Sequence, residues 1–70
     1  MNNSNRYANG YAPKIAYWYV QAIISENGTN EWRRAMSKLT YFQNKQIEVY
    51  GTSDGVSDAI RFALHENNLL

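Results

Sequence analysis

Cysteine is absent from this chain of 70 residues, and histidine occurs once. Disulfides and Cys/His metal sites, the usual supports of a domain this small, are thereby excluded, and no cofactor is implied. A lone core below about 80 residues rarely supplies more than roughly 3–5 kcal/mol. A chain of this length also hides only about 60 % of the surface its unfolded form exposes. Stability must come from a well-packed core or from association, so a homodimer is one expectation. Without cysteine the chain suits a reducing compartment, and the stretch Met1 to Tyr7 has no apolar region of a secretory signal. A cytoplasmic location is expected.

Excess charge is lacking as well. Seven Lys+Arg face six Asp+Glu, a formal net charge of +1, too close to neutral for a nucleic-acid mimic or for binding phosphate by bulk charge. Electrostatic recognition therefore requires a local patch. Long hydrophobic runs are missing too. The longest, Ile15 to Ile24, is about half of the roughly 20 residues that span a bilayer and contains Gln21, so no membrane insertion is expected.

Catalytic groupings are likewise wanting. His65 sits on the polar side of a C-terminal helical pattern with Asp58 and Arg61, where a cation near a helix end is favoured by the dipole, and no nucleophile or second titrating partner accompanies it. Glu26, Glu31, Glu48, Asp54, Asp58 and Glu66 are scattered, so neither a two-carboxylate hydrolytic site nor an oxygen-ligand metal site assembles. Gly10, Gly28, Gly51 and Gly55 have no phosphate-loop spacing. The expectation is a protein that binds rather than one that catalyses.

What is plentiful is aromatic: six Tyr, two Trp and two Phe. So small a core does not bury all ten, and Tyr and Trp are enriched at recognition surfaces. Residues 1–12, rich in Asn and poor in aliphatics, read as a flexible tail, and 13–70 as one folded domain. Pro13 is suited to opening an element. Segment 15–24 is apolar on both sides of any helical wheel, so periodicity does not decide; its β-branched and aromatic composition favours a strand. In 30–42, Trp32, Ala35, Met36 and Leu39 recur at helical spacing behind a Thr29 or Asn30 cap. Residues 46–51 alternate like a short strand ending at Gly51. Thr52, Ser53 and Asp54 are candidate caps for a last helix whose apolar face is Val56, Ala59, Ile60, Ala63 and Leu64.

The fold class expected is therefore α+β: strand, helix, strand, helix, with a two- or three-stranded sheet and a C-terminal helix. An all-α three-helix bundle is the alternative. A two-stranded sheet is too narrow to stand alone, which makes strand pairing across a dimer the expected remedy.

Two surfaces follow. On a strand, Tyr17 and Tyr19 share a face opposite a buried Trp18, and Phe62 lies on the flank of the last helix beside its polar side. These three are the candidate partner-binding residues. On the helix over 30–42, Arg34, Lys38 and Tyr41 form a stripe that Lys45 extends if the helix runs one turn further. With Arg33 they form the alternative, a nucleic-acid-binding face. The favoured expectation is a protein-interaction module, an inhibitor or adaptor of the size that phages and mobile elements encode, whose partner is a protein sooner than a nucleic acid.

Overall fold

The structure of the protein, a computed structural model, is described for residues 10–70. Among these residues it contains three helices and no strand: α1 (Ala12–Ile24), α2 (Asn30–Tyr50) and α3 (Val56–Glu66). The strand–helix order expected from sequence is therefore corrected to the all-α alternative. No helix among the described residues is long and apolar enough to cross a membrane.

The first correction falls on 15–24, which is helical. Pro13 stands in the first turn of α1, where its missing N–H costs nothing, and the Ile15 N–H closes the first turn on the Tyr11 carbonyl at 2.8 Å. Ala12, Ile15, Ala16 and Val20 are the buried residues. Their spacing of 3, 4 and 8 is that of a helix face. α1 defeats periodicity because it packs against both α2 and α3, whereas those two barely touch each other. A helix with neighbours on two sides is apolar most of the way round.

α1 ends at Ser25, whose backbone turns extended and whose hydroxyl donates to the Gln21 carbonyl at 2.7 Å. The Asn27-Gly28 pair forms the turn, with Gly28 at φ 87°. Thr29 then caps α2, as expected: its side-chain oxygen accepts from the Trp32 N–H at 3.2 Å and its hydroxyl donates to the Glu26 carbonyl at 2.7 Å. Thr29→Ala is expected to lower unfolding free energy by about 1 kcal/mol in urea titrations, with Thr29→Ser recovering most of it.

The second correction is at 46–51. These residues continue α2 to Tyr50, and Gly51 closes it in the left-handed region at φ 71°, donating to the Ile47 carbonyl. As a strand, these residues would turn Ile47 and Val49 towards a core. Instead they are 52 % and 54 % exposed, while Gln46 is buried at 6 %. Gln46 lies 7 residues beyond Leu39 and 11 beyond Ala35, on the same inner stripe. Its Oε1 accepts from the Tyr11 N–H at 2.8 Å and its Nε2 donates to the Thr52 carbonyl at 3.0 Å, so one amide ties the start of α1 to the turn that leads into α3.

α3 follows expectation along its apolar face, since Val56, Ala59, Ile60, Ala63 and Leu64 are all partly covered. None is fully buried. Its cap is Gly55 rather than Thr52, Ser53 or Asp54; Thr52 accepts from the Asp54 N–H instead. Asp58 in the first turn agrees in sign with the helix dipole.

Of the stretch read as a tail, residues 1–9 lie outside the described residues. Tyr11 belongs to the packed domain, stacked on Phe42 at 5.7 Å and edge-on to Tyr50 at 6.1 Å. The apolar core is Ala12, Ile15, Ala16, Val20, Ala35 and Leu39, set between three helices that spread over 41 × 27 Å but only 12 Å in depth. A strand-paired dimer has no basis in such a fold.

Candidate functional site

Making α1 a helix rearranges the tyrosines. Residues two apart on a helix diverge by about 200°, so Tyr17 and Tyr19 no longer share a face. Tyr19 is half-buried towards α2, beside Ala22, Ile23, Trp32, Met36 and Leu39. Trp18, expected in the core, is half-buried on the flank of α1, edge-on to Tyr17 with ring centroids 5.0 Å apart.

Tyr17 and Phe62, by contrast, are brought together. Both line a groove of about 390 Å³ between α1 and α3. Ala16, Val20, Ala59 and Ala63 also line it, and their small side chains bring its floor close to the two backbones. The aromatic walls remain open to solvent, with Tyr17 55 % and Phe62 66 % exposed. Gln21, Glu66 and Asn67 supply a polar border in which Glu66 is the one charged group. The sequence pointed to the two aromatics and placed Ala59 and Ala63 on the apolar face of the last helix, but it did not set Ala16 and Val20 opposite them.

The basic stripe also forms, because α2 runs on through Lys45. Arg34, Lys38 and Tyr41 are exposed along it. Lys45 is partly matched by Glu48 at 3.6 Å and lies 6.0 Å from the Tyr41 ring centre. Arg33 is off the stripe, its Nη1 reaching the Asn30 Oδ1 at 3.4 Å. α1 adds two residues that sequence reasoning missed. Lys14 sits 5.8 Å from the Phe42 ring centre, and Trp18 joins Lys14, Lys38 and Phe42 around a second hollow of about 430 Å³. Tyr17 borders this hollow as well as the first groove, so both open on the same broad face of the molecule.

His65 and the Asp58–Arg61 pair, at 3.4 Å, are exposed on the outer side of α3. Among the described residues no three His, Asp or Glu side chains stand together as metal ligands would. Fold and site together describe a small three-helix domain with an aromatic-walled groove. No protein-family model matches the chain, and no curated protein or solved structure matches it either.

Proposed function

We propose that the domain is a protein-interaction module, an inhibitor or adaptor rather than an enzyme, that seats an apolar helical segment of a partner protein between α1 and α3. The supporting observation is the meeting of Tyr17 and Phe62: two large aromatics from different helices stand largely exposed on either side of an alanine-rich floor. Exposed aromatics in a concave apolar setting are the usual anchors of such contacts, and a groove between helices accepts an amphipathic helix. Glu66 at the border favours a segment carrying a Lys or Arg next to its apolar stripe. The encounter takes place in the cytoplasm, where a chain free of cysteine loses nothing.

A second reading, nucleic-acid binding through the Arg34, Lys38, Tyr41 and Lys45 stripe, is favoured by one observation: Lys14 and Trp18 of α1 widen the stripe into a basic and aromatic surface.

Affinity capture from native extract, with and without nuclease, separates the two. Under the protein reading a partner survives nuclease and survives Arg34→Glu with Lys38→Glu. Tyr17→Ala or Phe62→Ala each weakens it at least about 30-fold in calorimetry with the purified partner, with helical circular dichroism unchanged. Capture that vanishes with nuclease or with the two charge reversals, and ignores Tyr17→Ala and Phe62→Ala, sinks the protein reading in favour of the second.

A further inference from the structure

The face opposite the groove has a different chemistry. On α1, Tyr19 and Ile23 continue the line of Ile15 at intervals of four, on the side turned away from Pro13 and Tyr17. On α2, Trp32, Met36, Gln43 and Ile47 share one flank, spaced so that about 60° of the helix contains them all. Tyr19, Ile23, Trp32 and Met36 surround a hollow of about 400 Å³, and Gln43 and Ile47 border another with Ile15 and Val56. The stripes themselves carry no charge, with Arg33 at their rim beside Trp32 and Met36, yet Ile23 is 49 % and Ile47 52 % exposed.

We propose that a second copy of this chain docks on this face, forming a two-fold symmetric homodimer. Three observations select that occupant. A two-fold contact lays each patch against its own image; the uncharged stripes allow it, whereas the face with Lys14, Arg34 and Lys38 would set like charges against each other. The molecule is 12 Å deep and spreads over 41 × 27 Å, broad enough for the roughly 800 Å² per partner that stable interfaces bury. The core within one chain is thin, since Ala12, Ala16 and Ala35 make up half of its buried apolar residues. A second layer of helices gives Ile23, Met36 and Ile47 the cover they lack. The dimer rests on helix faces, not on paired strands, and it leaves the Tyr17–Phe62 groove open on each outer side.

Size-exclusion chromatography with light scattering is expected to give twice the chain mass for the wild type. Ile23→Lys and Met36→Lys each raise the dimer dissociation constant at least about 30-fold with helical dichroism retained, and Phe62→Ala leaves the mass unchanged. A wild type that keeps the mass of one chain at millimolar concentration overturns the proposal. So does a dimer indifferent to both lysines. Should either lysine variant unfold, isotope-filtered NOEs on the mixed-labelled wild type decide: interchain contacts from the Ile23 and Met36 methyl groups support the proposal, and interchain contacts confined to Tyr17 and Phe62 refute it.

Discussion

Ile15→Ala is expected to leave the domain largely unfolded at physiological temperature, with the helical dichroism signal lost well below the wild-type melting point. Ile15 is completely buried and is the largest side chain in that state among the described residues. Truncating a buried Ile to Ala costs about 2–5 kcal/mol, with the higher values where the walls cannot close over the space. Collapse is hindered here because a hollow of about 210 Å³ already adjoins Ile15, bordered by Gln46, Ile47 and Val56. A loss of that size is comparable with the roughly 3–5 kcal/mol that a core of this length supplies in total. Ile15→Val, at about 0.5–1.5 kcal/mol, should stay folded with a lowered urea midpoint. An Ile15→Ala variant that melts like the wild type would show that the core lies elsewhere.

Gln46→Met is expected to destabilise by about 2–6 kcal/mol although it preserves side-chain length and increases apolar character. The reason is accounting of hydrogen bonds. Gln46 satisfies a donor at Tyr11 and an acceptor at Thr52 with one side chain, and an apolar replacement leaves each of those partly buried backbone groups short of a partner, at about 1–3 kcal/mol apiece. Gln46→Glu keeps the acceptor for the Tyr11 N–H but buries a carboxylate with one oxygen against the Thr52 carbonyl, so at neutral pH it should be the least stable of the three. Chemical denaturation of the three proteins gives the ranking. If Gln46→Met proves as stable as the wild type, hydrophobic filling alone holds this corner, and the amide is dispensable.

Those two residues also mark where the sequence could and could not be read. α3 was legible, since one stripe of small and branched residues with polar neighbours has no good strand interpretation. The start of α2 was legible for the same reason, with Thr29 in the capping position. α1 was not, because Ile15, Ala16 and Val20 face two different neighbours and the apolar residues wrap the helix. The end of α2 misled for the opposite reason: Gln46 is the inward residue and Ile47 and Val49 look outward, so local alternation pointed to the wrong side. The basic stripe could be foreseen from α2 alone, apart from Arg33. The meeting of Tyr17 with Phe62 could not, because 45 positions separate them and only the packing of α3 on α1 closes that distance.

The two walls of the groove are anchored unequally. Tyr17 projects from a helix held on both sides and containing four of the six buried apolar residues, whereas Phe62 projects from one with no buried residue at all. Elements with few buried contacts open at lower free energy than those at the centre. The wall that carries Phe62 therefore rests on fewer buried contacts than the wall that carries Tyr17. If the groove seats a partner segment as proposed, the α3 wall is the one expected to adjust to its bulk, while α1 holds its register underneath.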